Sequence, residues 1–277
     1  MGPALAVGLP AMEVGGAAGR ALTRLLSYLF HDVYDEDPAS SGFTGAAADR
    51  YKLTRRAFED QLDGIASARR DAPVLLRRSP SFDDGAIPFA ITFDDGGVSF
   101  HATAADLLER RGWRAHCFVA TRFVGSRGFL DAAQIRDLDR RGHVIGAHSA
   151  SHPPRLSYRN HEDIVREWKE SREALADLLN HDVTVASVPG GYFSSRVASA
   201  AKQAGIEVLF TSEPELRVRQ VEGCWVLGRF TIRPGHEPDF GRRLAALDQR
   251  ICAREWMSWN TKKVIKAVFI DPLRRLA

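Results

Sequence analysis

Apolar residues in this chain recur in two alternating registers, and glycines mark the changeovers. Helical spacing over residues 102–111 stops at Gly112, and a β-like apolar run over 113–120 follows at once. The same pairing recurs at 131–141, Gly142 and 143–147, and again at 196–204, Gly205 and 206–210. A glycine just past the last helical turn takes up the left-handed conformation that ends a helix without steric cost. Each unit therefore predicts a helix that delivers the chain into a strand. Residues 26–33, 87–93, 183–188 and 224–232 read as further strands, and 161–179 reads as a long amphipathic helix through Ile164, Trp168, Leu175 and Leu178. The polar stretch 34–50, rich in Ala, Gly and Ser, reads as a loop. Seven strands alternating with helices predict a parallel α/β architecture.

At 277 residues the chain has the length of one catalytic α/β domain, since barrels of this class run to about 250 residues. With no long internal repeat, the reading is an N-terminal extension over 1–25, a barrel over 26–235 and a C-terminal helical extension over 236–277. Lys and Arg number 38 against 35 Asp and Glu, and an excess of only +3 weighs against nucleic acid as a partner. Cys117, Cys224 and Cys252 lack the spacing of a zinc ribbon or a disulfide framework. Residues 1–19 hold Glu13 and no basic residue, unlike a secretory signal, and no apolar run has the length of a membrane span, so a cytoplasmic location is expected. Between Glu255 and the end, five basic residues face two acidic ones, with Trp256, Trp259, Val264, Ile265, Val268 and Phe269 interleaved. That tail has two readings, a peripheral contact with a membrane or protein, or a terminal helix closing the fold.

Candidate chemistry gathers at strand ends. The run 87–93 opens into Asp94, Asp95, Gly96 and Gly97, two carboxylates at the edge where α/β folds hold their active sites. The run 144–147 delivers His148 and His152, four residues apart, followed by Pro153 and Pro154. One helical turn after His148 would bring both imidazoles to one face, though the prolines discourage a helix from continuing. Two His and one Asp form a common ligand set for Zn²⁺ or another divalent transition ion. Asp pairs also serve as turn or capping residues.

With their flanks, these residues resemble the polysaccharide deacetylases of the NodB-homology, carbohydrate-esterase type. The matching stretches are Thr92-Phe-Asp-Asp-Gly96, the His148-Ser-x-x-His152-Pro153 motif and its lead-in from Asp139, the Ser187-Val-Pro-Gly-Gly-Tyr192 loop, and the opening strand Phe30-His31-Asp32-Val33. The resemblance covers most of residues 27–233. It implies a distorted seven-stranded (β/α) barrel that hydrolyses N-acetyl groups on an amino-sugar-containing glycan. It also implies one divalent ion, Zn²⁺ first, on Asp95, His148 and His152, with Asp94 left unligated as general base. In the loop of Pro189, Gly190, Gly191 and Tyr192, the backbone N–H groups after the proline could stabilise the oxyanion, unless that loop is an ordinary tight turn. Two departures stand out. Ser187 occupies the place of the arginine that orients the base, and no Leu-x-His motif supplies the usual acid. Alternation along the last strand puts Arg229, Thr231 and Arg233 on one face, making Arg229 a candidate replacement for that arginine, with His236 and His31 as candidate acids.

Three other readings compete: a silent glycan-binding relative, a hydrolase of another non-peptide amide, and a non-haem iron oxygenase built on the same ligand types. A decoy complicates the placement, because Phe82-Asp83-Asp84-Gly85 repeats the letters of Phe93-Asp94-Asp95-Gly96. Pro80 and polar neighbours interrupt any strand before the first copy, so Asp83 and Asp84 are expected to be exposed turn residues.

Overall fold

The computed structural model describes residues 23–78 and 87–265. In chain order its elements begin with β1 (Leu26–Phe30), β2 (Val33–Tyr34), α1 (Ala46–Asp49), β3 (Leu53–Thr54), α2 (Arg55–Ala68), β4 (Phe89–Phe93), α3 (Ala105–Glu109) and β5 (His116–Val119). The chain continues with α4 (Ala132–Arg140), β6 (Val144–Ala147), α5 (His161–Leu179), β7 (Val185–Ser187), α6 (Ser195–Gln203) and β8 (Val208–Phe210). It then runs through β9 (Arg219–Val221), β10 (Cys224–Leu227), β11 (Phe230–Thr231), α7 (Phe240–Ala245) and α8 (Gln249–Ile265). The glycine stops predicted after three helices are present, with Gly112, Gly142 and Gly205 at φ of 71°, 90° and 89°. Asp131 and Gln134 close a capping box at the start of α4, where the side chain of each accepts the other's backbone N–H.

The main sheet runs β11, β1, β4, β5, β6, β7, β8, β10, β9, and every pairing is parallel except β10 with β9. Sequence analysis has one strand over 224–232; the structure breaks it at Gly228 and Arg229. Its first half pairs with β8 and its second half with β1, so one interrupted strand joins both edges and curls the sheet into a distorted seven-stave barrel. The break has a steric cause. A Cβ at Gly228 would lie 2.4 Å from the Glu213 carbonyl, which accepts the Arg229 amide at 2.8 Å.

Side chains alternate as barrel strands require. Ala90, Phe118, Val144, Val185, Val208, Phe210 and Leu227, drawn from six strands, form one inner cluster. Phe89, Ile91 and Phe93 of β4 face the other way, into the larger cluster that contains Phe58, Leu62 and Ile65 of α2.

Three further expectations change. The strand over 26–33 ends at Phe30, because Asp32 turns inward to accept from Ser41 Oγ (2.5 Å) and Ser99 Oγ (2.9 Å), leaving β2 to pair with β3. The stretch 34–50 holds α1, and α2 after it was not foreseen, since Arg55, Arg56, Glu59 and Asp60 dilute its apolar stripe. The helix over 102–111 starts as a wide π-type turn, Phe100–Ala104. No helix among the described residues is long and apolar enough to cross a membrane. Asp83, Asp84 and the tail beyond Ile265 lie outside the described residues.

Candidate active site

Several candidate residues are carried by the C-terminal ends of barrel strands, where the rigid sheet gives way to loops. His31 follows β1, Asp94 and Asp95 follow β4, His148 follows β6, and Ser187 closes β7. His148 and His152 do meet, with ring centroids 5.0 Å apart, but not through a helical turn. Ser149 and His152 adopt φ of 60° and 51°, and the intervening loop is pinned from outside. Ser151 donates through its amide (2.8 Å) and hydroxyl (2.5 Å) to Glu167 of α5, a buried carboxylate that sequence analysis did not single out. Asp95 also sits at positive φ, 74°. Left-handed backbone at non-glycine residues costs free energy that the surrounding contacts must offset, and it clusters at functional sites.

Asp95 Oδ1 lies 3.4 Å from His148 Nε2 and 3.3 Å from His152 Nε2. One donor atom from each residue falls within 4.8 Å of the others. Two ligands of a tetrahedral transition ion with bonds of about 2.0–2.1 Å sit about 3.3 Å apart, so the donor types and their spacing fit such an ion. The far side of His148 is also arranged for ligation. Its Nδ1–H is shared between the Ser187 carbonyl (3.0 Å) and hydroxyl (2.6 Å), which fixes the tautomer and leaves Nε2 a free lone pair. Burial alone would push Asp95 up and His148 down; His148 and His152 beside Asp95 hold its carboxyl well below its usual range, and the Asp94 charge, with Asp95, raises the His148 imidazole.

Asp94 is gripped from two sides. Arg229 donates through Nη1 to Oδ1 (2.7 Å) and through Nη2 to Oδ2 (2.8 Å), and Ser187 Oγ donates to Oδ1 (2.9 Å). Arg229 is itself fully buried, donates to the Thr211 carbonyl and to Thr92 Oγ1, and lies over the adjoining rings of Phe118 and Phe210. Burial would raise the Asp94 pKa, but Arg229 and His148 outweigh it and keep the carboxylate ionised. The Oδ2 atom stays 3.9 Å from His148 Nε2, beside the trio but outside it.

A cavity of about 310 Å³ opens over these groups. His31 lines it, stacked on Tyr51 at 4.9 Å, and His31 Nδ1 has no hydrogen-bond partner among the described residues. His236 lines neither this cavity nor its neighbour; it stacks on Phe240 at 3.9 Å, and burial pushes its pKa down to about 4. Gly190 and Gly191 form part of the wall, Tyr192 lines the adjoining cavity, and Pro189 is buried behind them. Glycine is required at 191, where φ is 69° and a Cβ would meet the Trp259 ring at 2.9 Å. Phe43, Tyr51 and Trp259 are wall residues that sequence analysis left unassigned to the site, because they come from a loop and a tail helix.

Residues 83–209 match the family model for polysaccharide deacetylases. The chain is 26% identical over 145 residues to YxkH of Bacillus subtilis, which bears the polysaccharide deacetylase name, covering 52% of this chain and 51% of that one. It is 30% identical over 150 residues to a chitin deacetylase of Pestalotiopsis sp, covering 51% of this chain and 49% of that one. The chain thus spans about half the length of the curated relatives it matches. In fold it is similar to the deacetylase PplD of Streptococcus pyogenes, solved in complex with acetate, with a TM-score of 0.66 at 19% identity over 81% of this chain and 98% of that one.

Proposed function

We propose, on its similarity to the polysaccharide deacetylases, that the chain hydrolyses the N-acetyl group of an amino sugar in a glycan or glycan precursor. The observation that carries this reading is the Asp94 carboxylate, locked by Arg229 and Ser187 beside the Asp95, His148 and His152 trio. Asp95, His148 and His152 would hold a divalent ion, Zn²⁺ first by its donor set, which when bound would polarise the amide carbonyl and acidify water. Asp94 Oδ2 takes the water proton as the oxygen attacks the acetyl carbon. Backbone at Gly190 and Gly191 forms the wall facing the oxyanion. As the carbon–nitrogen bond breaks, the amine leaves with a proton from His31, and acetate and the free amino sugar are released. His31 takes the acid role in preference to His236 because it lines the cavity and His236 does not.

The Arg229 pair also supports an enzyme over a silent glycan binder, since the orienting contact missing at Ser187 is made from another strand. Acetate release from N-acetylated chitooligosaccharides by the zinc-loaded protein tests the reading. Asp94→Asn should keep the metal and lose about 10²- to 10⁴-fold in turnover. A mutant with near wild-type release, or a wild type that releases none, would sink it.

A further inference from the structure

The metal-side cavity continues into a second one of about 290 Å³, and the two share Tyr51, Gly190, Gly191, Ser212, Thr231 and Trp259 as a common wall. Their charges are segregated. Asp32, Asp94 and Asp95 line the first with one lysine, Lys52, whose ammonium is taken up by Asp49 and by the Pro38 and Ser41 carbonyls, whereas Arg50, Arg229, Arg233, Lys262 and Lys263 line the second against one acid, Glu255. Two of those cations are already matched, Arg229 by Asp94 and Lys263 by Glu213 at 2.8 Å, and Glu255 sits 3.6 Å from Arg254 outside the cavity. Arg50, which donates to the Ala47 carbonyl and lies over the Tyr51 ring, Arg233 and Lys262 have no ion-pair partner among the described residues. A second feature is independent of charge. The indole N–H of Trp259, on the shared wall, is buried without an acceptor among the described residues. Such a donor loses its hydration and gains nothing back until an acceptor oxygen arrives.

We infer that this second cavity is a subsite for an acidic substituent of the substrate, a phosphate or a carboxylate carried by the amino sugar or its neighbour. The inference rests on the hydrolase reading above and adds the substrate class. Concave cationic walls focus potential toward an anion, and guanidinium groups suit oxyanions by their fork geometry. Bound this way, the substrate sets its N-acetyl group over Asp95, His148 and His152 and its acidic group among Arg50, Arg233 and Lys262, with Tyr51 and Trp259 flanking the sugar.

The test compares N-acetylglucosamine 1-phosphate and N-acetylmuramic acid with the neutral 1-O-methyl N-acetylglucosamine, by acetate release and by calorimetric titration of the zinc-loaded full chain. At least one acidic sugar should exceed the neutral one about tenfold in kcat/KM and in affinity, as one charge-assisted contact predicts. The arm that wins identifies phosphate or carboxylate. The ratio should fall toward unity in Arg233→Gln, in Lys262→Glu, and at high salt. Equal treatment of acidic and neutral sugars, or a preference that survives both substitutions, overturns the inference while leaving deacetylation standing. Arg233-dependent binding of an acidic sugar with no acetate released from any would keep the subsite and remove the hydrolase reading.

Discussion

Arg229 and Asp94, 135 positions apart in sequence, form a buried two-pronged ion pair with hydrogen bonds of 2.7 and 2.8 Å. Ser187 touches the same carboxylate from β7, so the grip on Asp94 comes from two strands that do not pair with β4. Breaking such a pair strands a charge in low dielectric and costs about 3–5 kcal/mol. Arg229→Ala should therefore lower both turnover and the urea midpoint. Ser187→Arg alone should destabilise by crowding Arg229 with a like charge. In the Arg229→Ala background it should restore part of the turnover; kinetics and denaturation on the three variants read this, and no rescue would leave the two positions uncoupled.

His31→Gln and His236→Gln separate the two candidate acids. Loss of the proton donor should cost turnover about 10²-fold or more with metal content unchanged, so His31→Gln is expected to show it and His236→Gln to stay within a few-fold of wild type. The reverse ranking in an acetate-release assay would return the role to His236.

Metal retention should depend on a residue that does not touch the ion. His152→Ala removes a ligand and should abolish stoichiometric zinc. Glu167→Gln only loosens the Ser151 clamp, and outer-shell losses of this kind reduce affinity about 10- to 100-fold. Competition with a chromogenic chelator measures both, and an unchanged affinity in Glu167→Gln would detach that residue from the site.

Gly97 is fixed by a carboxylate rather than by its own backbone. A Cβ there would lie 1.9 Å from Asp32 Oδ1, and one at Gly42 would lie 2.1 Å from Oδ2. Gly97→Ala should destabilise by about 3 kcal/mol, at the upper end for overpacking, and Asp32→Gly should relieve it. Thermal melts of the single and double variants decide.

Acid lability should be traceable to His116. Its Nε2 accepts the Leu76 amide at 2.9 Å, and burial lowers its pKa from 6.5 to about 4. The unfolded chain binds this proton near pH 6.5 and the folded one only near pH 4, so the stability is present above pH 6.5 and is lost as pH falls toward 4. The loss is at most about 3 kcal/mol. His116→Gln should show a shallower fall in urea midpoint between pH 7 and 4.5 than wild type, and parallel curves would clear His116 of the effect.

The alternation of helix and strand, the glycine stops, the strand-end position of Asp94, Asp95 and His148, and the family resemblance are all legible along the chain. All of these are carried by short windows, because hydrophobic period, capping chemistry and motif spacing are local properties of the chain. Where a local signal was weak, as in α2 with its charged first turns, the element was missed. The rest follows from long-range packing. Arg229 reaches Asp94 because barrel closure brings the last strand beside β1, which in turn pairs with β4, a nonlocal event with no signature at either residue. The left-handed turn at Ser149 and His152 is held by Glu167 of a later helix, and Phe43, Tyr51 and Trp259 become cavity wall because distant segments fold over the strand ends. His31 and His236 are equally good acids on paper; which one faces the cavity is settled by packing, which couples residues far apart in sequence.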